Sequence, residues 1–355
     1  MPSAVSEPTL FPSLTSEGLL AFQFSSWYPR FSSLSIKSTV IRPLSKEFYN
    51  YLNSEGVFLP EGSEDVPPAS AISDNEDEGE EEAEEQETTF AFPDLDAKIR
   101  EVISNYGAVF PKLNFSSPRD AAWMLPASSP LKCVSPADVY LLLKSSDFVL
   151  HDIDKDQLFE ACDGDTDMPE YELELVLRKW YPVDRSRELR CFVRRESLIG
   201  ISQRDPNFYD FWNDQATQAK VIDAITKFWE ENIKGKWEQT GGNYIFDFLL
   251  TRDLSRGHII DFNPYWSHTD PLLFTYNDLL QLLMHSVSEN DFMPEFRVID
   301  SRRHPAANRN APTHQHNMVP LEALALSEGR TIEEFAGIWQ NELRRSAVDS
   351  DDESD

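Results

Sequence analysis

Two short apolar runs in the chain each carry one carboxylate. Tyr244-Ile245-Phe246-Asp247-Phe248-Leu249-Leu250 holds Asp247, and His258-Ile259-Ile260-Asp261-Phe262-Asn263-Pro264-Tyr265 holds Asp261, with Asn263 two residues on. Side chains alternate across a strand, so Asp261 and Asn263 should share one face while Ile260 and Phe262 take the other. If the runs pair as an antiparallel hairpin through Thr251 to Gly257, Asp247 lies beside Asp261 on the same surface. Two carboxylates and an amide oxygen then converge. Two readings fit. A divalent ion holding nucleotide phosphates would neutralise the pair, or the hairpin is partly exposed and its acids are simply solvated.

Upstream, cationic side chains fall on expected strands: Lys112, Arg178, Lys179, Arg190 and Arg204, with Arg187 opening the Arg190 strand. Each alone would ordinarily line solvent. Together they suit a polyphosphate, with magnesium held on its far side by the carboxylates. Lys112 leads into Leu113-Asn114-Phe115-Ser116-Ser117-Pro118-Arg119-Asp120-Ala121-Ala122-Trp123, a loop whose polar groups and backbone N–H can wrap phosphates. Arg178-Lys179-Trp180-Tyr181-Pro182 ends an apolar strand in aromatics and a proline, a plausible hinge for an adenine.

The elements that must position these residues follow from periodicity. Residues 19–31 read as a short helix or strand ending near Pro29, rich in aromatics that serve either the core or a partner. Thr39 to Leu44 reads as a strand and Lys46 to Asn53 as a helix. Asp94 to Tyr106 has helical spacing at Leu95, Ile99, Val102 and Ile103. Ala108 to Leu113 is an expected strand, and Ser135-Pro136 marks a helix start. Strands are expected at Leu173–Trp180, Arg187–Arg194 and Leu198–Ser202, then a helix over Ala216–Ile233, the carboxylate hairpin, and a helix from Thr275. This alternation predicts an α+β fold with antiparallel sheet and helices packed on it.

The 355 residues suffice for a large domain or two, and the net charge is -30. Ten acids between Asp74 and Glu87 and five between Asp349 and Asp355 account for half of it, leaving a moderately acidic body. That sign argues against free nucleic acid, whose binding rests on phosphate neutralisation. Order is expected to lapse from Pro60 to Glu87 and in the acidic tail. Ser346, Ser350 and Ser354 lie among the tail's acids, as phosphorylation sites or as part of a solvated tail. No apolar run approaches the roughly 20 residues of a membrane span, and the first thirty residues lack a basic start followed by an apolar core and a small-residue cleavage site. Three scattered cysteines suggest reduced thiols, and a cytoplasmic location is expected. Phosphate-loop, dinucleotide, nucleophile-elbow and zinc-helix motifs are missing from the sequence. His314 and His316 read as loop surface.

In order along the chain, Phe110 to Trp123, Leu177-Arg178-Lys179-Trp180, Glu188-Leu189-Arg190-Cys191-Phe192-Val193, Ile201-Ser202-Gln203-Arg204-Asp205, Phe246-Asp247-Phe248 and Ile260-Asp261-Phe262-Asn263-Pro264 closely resemble the cell division cycle protein 123 family. Trp27-Tyr28-Pro29-Arg30-Phe31 fits it too. The resemblance implies an ATP-grasp-like fold of two lobes with the nucleotide cleft between them. It divides the chain into a loose start (1–18), an N-terminal lobe with the partner surface (19–59 and 90–172), an acidic insertion (60–89), a C-terminal lobe (173–300) and an extension (301–355). It implies ATP and Mg2+ as cofactors. The implied role is that of a chaperone, monomeric alone, which binds the gamma subunit of translation initiation factor 2 and promotes assembly of the heterotrimer, supporting translation initiation and cell-cycle progression.

Carried over by residue, Lys112 and Arg190 would contact phosphates, Arg178 and Trp180 would belong to the adenine hinge, and Asp247, Asp261 and Asn263 would hold magnesium. Asn114, Asp120 and Ala121 would lie in the phosphate cover, which lacks the glycines usual in ATP-grasp enzymes. Lys179, Arg187 and Arg204 complete the nucleotide set, and Trp27, Tyr28 and Arg30 form the partner-facing set. The alternative is a ligase that joins a carboxylate to an amine through an acyl phosphate. Either use needs the same charges.

Overall fold

A computed structural model describes residues 8–64, 89–126, 128–164, 169–254, 256–288 and 292–307. The acidic run from Asp74, the tail serines, His314 and His316 lie outside the described residues. Nine α-helices are described: α1 (Ser16–Leu20), α2 (Phe24–Phe31), α3 (Lys46–Asn53), α4 (Pro93–Tyr106), α5 (Pro136–Lys144), α6 (Asp147–Ile153), α7 (Lys155–Phe159), α8 (Gln215–Asn232) and α9 (Tyr276–Ser288). The start at Ser135-Pro136 is a full capping box: Ser135 Oγ accepts from the Asp138 N–H, and Asp138 accepts from the Ser135 N–H.

Three strands, β1 (Ser38–Ile41), β2 (Val109–Lys112) and β3 (Leu175–Lys179), form a small antiparallel sheet in the order β1-β3-β2. Leu175 and Leu177 point into a core shared with α3, α4 and α5. The alternate residues Val176 and Arg178, with their register partners Lys112 and Phe110, occupy the other face.

The larger sheet contains β4 (Glu188–Arg194), β5 (Ser197–Gln203), β6 (Tyr244–Leu250), β7 (Gly257–Pro264) and β8 (Glu295–Arg297), in the order β7-β6-β4-β5-β8. Its pairings are antiparallel except β5 with β8, a short parallel edge that the sequence pattern does not announce. One face buries Leu189, Cys191, Ile201, Phe246 and Phe262 against α8 and α2. On the other face Phe192, Ile199 and Ile245 meet Leu279 and Leu283 of α9. The small sheet meets the β7 edge, with α2 between them: Trp27 is fully buried against Phe262, ring centroids 5.2 Å apart.

The α+β class stands as expected. Chain order and packing diverge in two places, however. β3, at the expected start of the second lobe, is the central strand of the small sheet, and α2, from the expected first lobe, packs into the larger core. Order also runs past Pro60, since Glu61 N–H bonds to Phe90 O at 2.8 Å and Ser63 is fully buried.

The hairpin forms through the expected turn, and Asp247 pairs with Asp261. A register shift follows: Phe248 pairs with Ile259, which leaves Ile260 as an extra residue bulged out of the ladder. The bulge resets the alternation, so Ile259 enters the core and Ile260 joins Asp261 on the cleft side, contrary to simple strand alternation. The hairpin closes on Gly257, where a Cβ would stand 1.9 Å from the buried ring of Phe248. Phe228 packs against that ring at a tilt, centroids 4.5 Å apart, so it has little room to yield. Gly257→Ala should therefore lower stability in urea unfolding by about 1–3 kcal/mol. His258→Ala, at the exposed next residue, should change it by less than about 0.5 kcal/mol.

Candidate functional site

Where the small sheet meets β7, the fold leaves a cleft of about 910 Å³ lined by Trp180, Tyr181, Trp123, Phe148, Arg178, Arg204, Asp247 and Asp261 among others. The register of the larger sheet builds its charged wall. Arg190 pairs with Ser202 on one side and Asp247 on the other, and Asp247 pairs with Asp261, so a polar row crosses β5, β4, β6 and β7. Buried Asp247 beside half-buried Asp261 requires compensation.

Arg190 supplies it to Asp247 with a two-pronged contact, Nε to Oδ1 at 2.8 Å and Nη2 to Oδ2 at 2.9 Å. Burial works against the Arg190 charge, but Asp247 outweighs it and the guanidinium pKa is raised. Arg204 adds a charge contact, its Nε 3.1 Å from Asp247 Oδ2 but not aligned as a hydrogen bond. Asp261 Oδ2 accepts from Lys112 Nζ at 2.7 Å, with Lys112 almost wholly buried. Glu188, two residues before Arg190 and so on the same face, holds both Arg119 (3.0 Å) and Arg204 (3.3 Å).

Arg178 is the exception. It is 1 % exposed, and Nη1 donates to Ile260 O, the carbonyl freed at the bulge, at 2.7 Å. Its Nε and Nη2 have no hydrogen-bond acceptor among the described residues. Burial holds its pKa below the ordinary arginine value, with Asp261 partly offsetting the effect. Phe24 lies beneath both cations, its ring centre 5.3 Å from Lys112 and 5.4 Å from Arg178. Trp123 Nε1, on a residue that lines the cleft, and Asn263 Nδ2 are also donors without partners among the described residues. Unmatched buried donors beside a neutralised carboxylate pair suit an incoming anion.

The remaining residues singled out by sequence divide clearly. Lys179 and Trp180 line the cleft; Trp180 is fixed by its indole N–H to Pro130 O at 3.1 Å, and Lys179 lies over the Tyr181 ring. Arg187 instead covers the Phe211 ring and stands 3.8 Å from Asp184. In the loop after Lys112, Asn114 is fully buried, donating to Glu172 O and accepting from Glu174 N–H, while Phe24 N–H bonds to its carbonyl. Ala121 is fully buried in the small core. Asp120 borders the cleft but spends its carboxylate on Ser146 Oγ and the first N–H groups of α6.

From that loop, Arg119 is the side chain that reaches across to Glu188, a role its place in Ser117-Pro118-Arg119-Asp120 does not reveal. Of the partner-facing set, Trp27 is core, Tyr28 accepts from Ser38 N–H at 2.8 Å, and Arg30 is exposed and donates to Lys236 O.

The sequence model of the D123 family matches residues 27–327, and the chain belongs to that family. It is 34% identical to the translation initiation factor eIF2 assembly protein of Schizosaccharomyces pombe, over 94% of this chain and 98% of that one. The protein of the same name from Xenopus tropicalis is 41% identical over 80% of this chain and 85% of its own. The structure of Cdc123 from Schizosaccharomyces pombe superposes with a TM-score of 0.63 at 32% identity, covering 82% of this chain and all of that one. The fold is thus the α+β fold of Cdc123.

Arg190 and Arg178 should respond oppositely to neutralisation. Arg190→Met leaves buried Asp247 with only the unaligned Arg204 contact and should cost about 3–5 kcal/mol in urea unfolding. Arg178→Met removes a buried charge with one bond, and should change stability by no more than about 1 kcal/mol in either direction.

Proposed function

We propose that the chain is an ATP- and magnesium-binding assembly chaperone for translation initiation factor 2, acting on the gamma subunit in the cytoplasm. One observation carries the nucleotide half: a buried, under-bonded Arg178 facing a cleft beside the Asp247–Asp261 pair. A triphosphate would satisfy its free donors, and the aromatic mouth at Trp180, Tyr181 and Phe148 suits a purine. Magnesium commonly takes one or two carboxylates and completes its shell with phosphate oxygens and water. Asp261, with Asp247 and Asn263 beside it, meets that requirement. Two carboxylates leave most of the metal's coordination to the nucleotide's phosphate oxygens and water.

The assembly half rests on the names of the relatives, which the chain matches over most of its length. Because residues from both sheets line the cleft, a nucleotide bound there would fix one sheet against the other. That would stabilise the surface offered to the partner by linkage, without requiring a reaction. With Trp27 in the core and Tyr28 half-buried, Arg30 is the exposed member of the partner-facing set.

Calorimetric titration with magnesium-ATP should show saturable one-site binding, weakened at least tenfold (about 1.4 kcal/mol) by Asp261→Ala. No binding by folded wild-type protein would remove the nucleotide half. Purified gamma subunit should bind more tightly when magnesium-ATP is present, by about 5-fold or more, and not in Asp261→Ala. ATP consumed only when a small acid and an amine are supplied would identify a ligase instead.

A further inference from the structure

Arg178 apart, the charges around the Asp247–Asp261 pair are already matched to one another. Lys112 bridges from the small sheet to Asp261 at 2.7 Å, and Arg190 and Arg204 hold Asp247. On the nucleotide reading above, both ligand components must enter a site whose counter-charges are taken. We infer that the cleft recognises a metal–polyphosphate complex as one unit and rejects either component alone, with the Lys112–Asp261 pair as the element that sets this specificity.

A bare divalent cation approaching Asp261 meets the Lys112 ammonium on the same carboxylate oxygen. Displacing that ammonium leaves a side chain that is 1 % exposed without its carboxylate. Asp152 is close enough to feel the Lys112 charge, but its carboxylate is committed to Phe115 N–H, Ser116 N–H and Ser116 Oγ, at 2.7 to 2.9 Å. It gives Lys112 no second hydrogen-bonded partner among the described contacts. A divalent ion alone therefore replaces one buried ion pair with a buried unpaired cation.

A bare polyphosphate has the opposite problem. The free donors of Arg178 attract it, but Arg178 is bonded to Ile260 O, the residue adjoining Asp261, so phosphate oxygens there face the Asp261 carboxylate. Arriving together, the two components let every charge exchange partners: Lys112 and Arg178 pass to phosphate oxygens, and Asp261 passes to the cation. No ionised group is stranded. This differs from a site in which Asp261 is merely one favourable ligand, because here the same carboxylate penalises nucleotide that comes without metal.

The test is calorimetry on the full chain with three probes: ATP in excess EDTA, MgCl2 alone, and magnesium-ATP. Wild type should bind magnesium-ATP at least about 50-fold more tightly than ATP in EDTA, within the range of strong coupling between ligands, and should show no saturable binding of Mg2+ alone at millimolar concentration. Asp261→Asn, which keeps the shape but frees Lys112, should bind ATP in EDTA about 5-fold more tightly than wild type does, or better, and gain nothing from magnesium. Lys112→Met, which frees Asp261 instead, should acquire measurable binding of Mg2+ alone, so that a folding failure of one variant leaves the other to decide; thermal unfolding identifies such a failure.

Wild type that binds ATP equally with and without magnesium would overturn the inference while leaving the nucleotide reading intact. So would Asp261→Asn that loses affinity for both forms alike, or folded Lys112→Met that gains none for Mg2+. Wild type that binds ATP in neither form would overturn the nucleotide reading, and this inference with it.

Discussion

Two carboxylates directly opposite on adjacent strands, Asp247 and Asp261, set the terms for the rest of the molecule. Like charges so placed destabilise a sheet unless something answers them. The answer comes from two directions. Arg190 and Arg204 lie on or next to strands of the same sheet, and Lys112 comes from the other sheet. One half of the compensation is therefore internal to the larger sheet, and the other half depends on how the two sheets sit together. That division makes their relative placement part of the electrostatics of the hairpin.

The apolar framework serves this arrangement. α2 brings Phe24 beneath Lys112 and Arg178 and Trp27 against Phe262, so the underside of the charged row is aromatic. Asn114 and Glu174 tie the start of α2 to the start of β3: Phe24 N–H bonds to Asn114 O, and Ser25 N–H and the Gln23 amide donate to the Glu174 carboxylate. Burial pushes the Glu174 pKa up despite those bonds. A buried polar brace is kept where a hydrophobic contact would not fix the angle between a helix and a strand.

The hairpin was legible in the sequence because its signal is local: two apolar runs, a single acid in each, and a turn of suitable length. The bulge was not, because Ile259 and Ile260 are chemically identical and only the packing around Phe248 and Phe262 decides which enters the core. The loop after Lys112 shows the same boundary. Residue type marks Asn114, Asp120 and Arg119 equally as polar, yet Asn114 braces backbone, Asp120 caps α6, and Arg119 crosses to Glu188. Each role is assigned by a partner dozens of residues away. The three strands of the small sheet were likewise readable, but not that β3 would pair between β1 and β2, since pairing choice is non-local.

The position of β3 between two strands that precede it in the chain bears on how the molecule is made. Once synthesis has passed Lys179, all three strands of the small sheet and the helices behind it are available, and that unit can condense around its own core. Its other face cannot be finished then. Val176, Arg178, Phe24 and Trp27 await β7, whose Ile260 carbonyl, Asp261 and Phe262 cover them and which is translated much later. The nascent chain thus carries a completed half-fold with a charged, aromatic underside open to water, and the last hairpin of the larger sheet is the event that closes it.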